Sequence, residues 1–300
     1  MADEQQRIGE DEEAQVAAVL DAFRTLGGGY KRAAVEAAME MEAAITPHLV
    51  RILENVRDNP GPYVADENLF DHVYALMLLG HFGTRQAHEV IVALFSLPDD
   101  LPDQLYGELY IDNLPVVLLN TCGGDLALIR SLAQNQSAGA YCRLTACQAL
   151  AYAVIEGYAE RTEVLEFLAG LFVETADTDP DFWGLLANIV CDLYPAEVID
   201  VIQKAYEDGL IFPGMIAYDD FEFALERGEA DCLDRLRTYL EWGRLDDLHE
   251  VMERWACFRD RNDSFDAGPP PPSPEQIQKK KAKARKKRKQ AKASRKKNRK

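Results

Sequence analysis

No stretch of this 300-residue chain is long enough to cross a bilayer: the longest strongly apolar run, Val73 to Phe82, falls well short of roughly 30 Å of hydrocarbon. A secretory start is missing too, because the opening MADEQQRIGEDEEAQ carries six acids and one Arg where a signal peptide needs positive charge. Those two absences lead us to expect a cytoplasmic protein without membrane contact. The six cysteines (Cys122, Cys142, Cys147, Cys191, Cys232, Cys257) form no C-x-x-C pair, and four sit in apolar helical patterns, so they read as free, mostly buried thiols. Gly27–Gly29 and Cys122-Gly123-Gly124 lack the spacing of phosphate-binding loops, no serine stands in G-x-S-x-G, and no H-E-x-x-H occurs. His72, His81 and His88 cluster in sequence near Asp71 and Glu89, but without metal-ligand spacing they read as surface or helix-cap histidines. No catalytic residue, metal or cofactor is expected.

Charge of both signs is present, but separated. The whole chain has 33 basic and 51 acidic residues, a net of −18. Positions 279–300 hold 15 Lys or Arg and no acid, leaving 18 basic and 51 acidic residues in the first 278, a net of −33. The division implies four parts: a frayed acidic N-terminus (1–12), a helical domain (13–258), a linker (259–278) with five prolines between Gly268 and Pro274, and a disordered basic tail (279–300).

Within the domain, apolar spacing is helical almost everywhere and no period-2 strand stands out, so the fold class is all-α. Helices are expected over 13–26, 30–45, 47–58, 66–82, 84–97, 105–121, 126–134, 139–156, 161–175, 180–194 and 196–208, with Thr84 and Asp125 as N-caps and a loop after Arg57. Breaks at Gly83, Gly123, Gly157 and Pro195 recur every 34–40 residues. That period predicts a HEAT/armadillo-like α-solenoid of helix pairs. Three further helices, 219–226, 230–241 and 245–258, are expected to cap its last repeat.

The phrases ITPHLVRILE (45–54), HVYALMLLGHFG (72–83), the helix starting at Tyr106 and DFWGLLANIVCDLYPAEVIDVIQKAYEDGLI (181–211) resemble a bacterial family of uncharacterised proteins known as DUF1186. The resemblance implies helical repeats but no particular reaction. Some relatives end in a small zinc-binding SEC-C motif; here no Cys follows Cys257 and no His follows His249, so a zinc tail is not implied.

Two functional surfaces emerge. The tail residues Lys279, Lys280, Lys281, Lys283, Arg285, Lys286, Lys287, Arg288, Lys289, Lys292, Arg295, Lys296, Lys297, Arg299 and Lys300 are expected to bind polyanions, RNA, ribosomes or DNA, without sequence readout, since no aromatic follows Phe265. A solubility tail, or an arm that binds the acidic body itself, fits the same composition. Two acid–aromatic clusters, Asp99, Asp100, Asp103 and Tyr106, and Tyr218, Asp219, Asp220 and Glu222, suit a basic or amphipathic protein partner lying in a solenoid groove; helix N-caps and first-turn acids explain them equally. The expected function is a non-enzymatic scaffold for such a partner, tethered by its tail. The alternative is a nucleic-acid-associated factor whose tail is the main binding element and whose acidic body is regulatory.

Overall fold

The computed structural model describes residues 2–27, 29–98, 101–173 and 180–258; the tail, the linker, Asp99 and Asp100 lie outside them. Among the described residues there are sixteen α-helices and no strand. The first six are α1 (Ala2–Phe23), α2 (Arg32–Glu40), α3 (Glu42–Asp58), α4 (Gly61–Ala65), α5 (Asp71–Phe82) and α6 (His88–Phe95). Then come α7 (Leu101–Tyr106), α8 (Leu109–Thr121), α9 (Ala127–Gln134), α10 (Ala140–Ile155) and α11 (Arg161–Ala169). The last five are α12 (Pro180–Asp192), α13 (Ile199–Glu207), α14 (Tyr218–Arg227), α15 (Glu229–Gly243) and α16 (Leu248–Met252).

The helices stack as pairs, and the molecule is an all-α helical-repeat fold. An inner row is made by α5, α8, α10 and α12, each packed on the next, while α6 and α9 pack together in an outer row. Hydrogen bonds tie one repeat to the following one: Asn120 Nδ2 donates to the Gly80 carbonyl at 2.9 Å, and Arg130 to Glu163 at 2.7 Å. Arg161 does most of this tying. It donates to the Tyr194 carbonyl at 2.8 Å, pairs with Glu197 and Glu229, and lies over the Tyr194 ring. Tyr194 holds a left-handed backbone (φ 63°), a conformation disfavoured for a side chain with a Cβ, and the Arg161 bonds fix it where the chain turns into Pro195.

Several boundaries differ from the sequence expectation. The first helix begins at Ala2 rather than 13. Pro47 does not start a helix; it lies inside α3, because Ile45, Leu49, Leu53 and Val56 make one continuous buried face across it, and the turn falls at Met41. Part of the loop after Arg57 is α4. The expected 105–121 helix is split at Gly107 (φ 57°) into α7 and α8. Thr84 is extended but makes no side-chain cap bond, whereas Asp125 Oδ1 accepts the Ala127 N–H at 3.1 Å.

The largest difference concerns the C-terminal helices. α14 packs on α12 at the end of the inner row, but the last two helices do not stay there. α15 packs on α8, α10 and α12, and α16 on α5, so the chain runs back along the inner row. His81 Nδ1 meets the Leu245 carbonyl at 2.6 Å, Arg244 pairs with Glu156 at 2.7 Å, and Arg32 holds Glu253 through two bonds of 3.0 and 2.8 Å. Tyr30 bonds His249 at 2.8 Å, and Phe258 packs among Tyr30, Phe70 and Tyr74. The physical reason is in the inner helices: α5, α8 and α10 are buried nearly all round and need cover on both faces. The inner face that a repeat protein offers to a ligand is filled here by its own chain.

Candidate functional site

The two acid–aromatic clusters meet different fates. At the second, Asp220 Oδ2 accepts the Ala217 N–H at 3.0 Å and closes the first turn of α14, while Tyr218 packs edge-on against Tyr206 at 5.7 Å. Asp219 and Glu222 stay exposed. The first cluster builds a pocket. Short helices α4 and α7 and the N-terminus of α5 border an open pocket of about 440 Å³, lined among others by Tyr63, Glu67, Phe70, His72, Asp103 and Tyr106. Tyr106 is therefore not a surface aromatic; it is buried in the pocket wall.

Burial and hydrogen-bond supply set the chemistry of this wall. His72 is 2% exposed and its Nε2 lies 2.7 Å from the Leu105 carbonyl. A carbonyl only accepts, so Nε2 carries the proton and Nδ1 is a bare acceptor. Nδ1 stands 3.9 Å from Asp71 Oδ1. Asp71 Oδ1, His72 Nδ1 and the Tyr106 hydroxyl are all buried without a hydrogen-bond partner. Burial pushes the His72 imidazole down to about 4, raises the Asp71 carboxyl and raises the Tyr106 phenol far above its usual range. Nearer the surface, Asp103 accepts from the Tyr110 hydroxyl at 2.5 Å, and Glu67 is exposed.

The pocket thus sets two exposed carboxylates, Glu67 and Asp103, beside the part-exposed Tyr63 ring, with Phe70, His72 and Tyr106 buried behind them. Exposed carboxylates next to an aromatic ring suit a group with N–H donors and positive charge.

Two of the three clustered histidines are not on the surface, contrary to expectation, while His81 is part-exposed. His72 and His88 are buried, and His88 donates from Nδ1 to Thr121 Oγ1 at 2.9 Å while that hydroxyl donates to the Val117 carbonyl at 2.8 Å. Each turns inward because its ring is needed in the core and a local carbonyl or hydroxyl satisfies one nitrogen. Among the described residues no group of three His, Cys, Asp or Glu is arranged to hold a metal ion. Four cysteines (Cys122, Cys142, Cys147 and Cys232) are buried; burial pushes Cys142 and Cys147 up to about 12, so neither is a nucleophile near neutral pH. Sequence reasoning overlooked Tyr63, which follows the expected loop, Glu67, which falls at the start of the expected 66–82 helix, and Arg143, a lone cation in the apolar run AYCRLTACQALAYAVI that could have been noticed.

Fold and pocket together define an all-α helical-repeat protein with a pocket edged by two exposed carboxylates. The chain belongs to the family described as "Protein of unknown function (DUF1186)", whose model matches residues 14–259. Similar proteins come from Chlamydia muridarum and Chlamydia trachomatis serovar D. Each is named "Uncharacterized protein" and is 29% identical over 243 residues, which covers 80% of this chain and 96% of the relative. No solved structure matches the chain. Among the described residues, no helix is long and apolar enough to cross a membrane.

Proposed function

We propose that this protein is a non-enzymatic, cytoplasmic scaffold that binds a basic protein partner on its acidic body and is tethered to RNA or ribosomes by its Lys/Arg tail. The pocket carries the first half of this reading. Glu67 and Asp103 at its mouth and the ring faces within it suit a lysine or arginine side chain, and the surrounding net of −33 draws basic partners toward it. An extended ligand in the inner groove is disfavoured, since α15 occupies that face. The second half rests on sequence: 15 closely spaced charges without an acid favour salt-sensitive binding to polyanions.

The test is a pull-down with the full chain and with a version ending at residue 268, each with and without nuclease. The scaffold reading expects one defined basic protein to be held by both versions after nuclease treatment, and to be lost when Glu67→Gln and Asp103→Asn are combined. Loss of every partner upon truncation or nuclease treatment contradicts it and favours the tail-led nucleic-acid factor.

A further inference from the structure

Arg143 is the only Lys, Arg, Asp or Glu in α10. It is 6% exposed. Its Nε donates to the Ala133 carbonyl at 3.1 Å, and its guanidinium carbon lies 4.0 Å from the centre of the Phe182 ring. Among the described residues no carboxylate is within ion-pair distance, and the Cys147 thiol is the one titratable neighbour acting on it; burial lowers its pKa. Beside it the indole N–H of Trp183 is buried without a hydrogen-bond partner. Arg143 and Trp183 line a cavity of about 250 Å³, together with Gln134, Gln136, Leu171 and Val173.

A buried charge without a counter-ion and a buried donor without an acceptor both disfavour the folded state. Among the described residues, the guanidinium lacks a carboxylate and the indole N–H lacks an acceptor, and both groups line one cavity. The guanidinium is a flat fork that fits the two oxygens of a carboxylate, with the indole N–H available as a further donor. One positive charge balances a monoanion rather than a dianion, and Leu171, Val173 and Phe182 give the cavity an apolar side beside the two glutamines. We propose that this cavity binds a small organic carboxylate with a short apolar body, its oxygens held by Arg143 and the Trp183 N–H. The site is separate from the cation pocket in residues and opposite in charge, so it stands or falls independently of the scaffold reading.

Nuclear magnetic resonance on the full chain tests this through the indole N–H signals of its three tryptophans, Trp183, Trp242 and Trp255, with Trp183→Phe supplying the assignment. Butyrate, butyramide, butylamine and inorganic phosphate serve as probes. The expected result is a saturable shift of the Trp183 signal with butyrate alone. Arg143→Lys, which keeps the charge but loses the fork, should weaken butyrate binding about tenfold or more while the melting transition persists. Trp183→Phe should weaken it too, followed by calorimetry. Equal shifts with butyramide, stronger binding of phosphate, or no saturable shift at millimolar butyrate would overturn the proposal. So would butyrate binding that appears only after Glu174→Gln, Asp177→Asn and Asp179→Asn are combined, which would assign the cavity to the chain's own acids.

Discussion

His72 is buried with its Nε2–H tied to the Leu105 carbonyl, and the folded protein resists charging its ring. The pKa falls from 6.5 to about 4 on folding, so the unfolded chain binds more protons than the folded one between those values. Its contribution to stability is complete above pH 6.5 and is lost as pH falls toward 4, at most about 3 kcal/mol in all. The lowered His88 acts in the same direction, while the raised Asp71, which faces His72, works the other way at lower pH. Urea unfolding at pH 7 and pH 5 should show a smaller drop for His72→Gln than for the parent protein. At this scale the sequence was partly legible. Crowded acids and aromatics marked Asp103 and Tyr106, but Tyr63 and Glu67 join them only because α4 packs on α7, a contact between segments about forty residues apart that no local pattern announces.

Among the elements, α5 and α8 approach so closely that a glycine is required between them. A Cβ on Gly80 would lie 2.6 Å from Val117 Cγ2 and 3.0 Å from Leu245 Cδ1. Val117 is β-branched and stiff, so it cannot turn away cheaply. Gly80→Ala should therefore destabilise the protein by about 1–3 kcal/mol despite its better helix propensity, read as a lower urea midpoint with unchanged slope. Helix breaks were legible where glycine takes a left-handed turn, as at Gly83 (φ 63°). They were misplaced where burial overrides the local rule, as at Pro47 within α3. The all-round apolar character of α5 and α10 was visible in sequence, yet what covers their second face was not, because α15 is an ordinary amphipathic helix whose partners lie far away in the chain.

On the scale of the molecule, the return of α15 and α16 covers the inner row, and the features on which the proposed recognition rests lie elsewhere: the pocket between α4, α5 and α7, and the net charge of −33 over the first 278 residues. Period and composition revealed the repeat and the charge division; the closing of the groove depends on contacts over 160 residues apart, such as His81 with Leu245. The most direct test of the account is titration calorimetry with a short lysine-containing peptide and its lysine-acetylated twin, on the full chain and on the version ending at residue 268. The account predicts that the lysine peptide binds, that acetylation abolishes binding, and that Glu67→Gln with Asp103→Asn weakens it about tenfold or more, with weaker binding at higher salt. Equal binding of both peptides, or undiminished binding by the double variant, would contradict it.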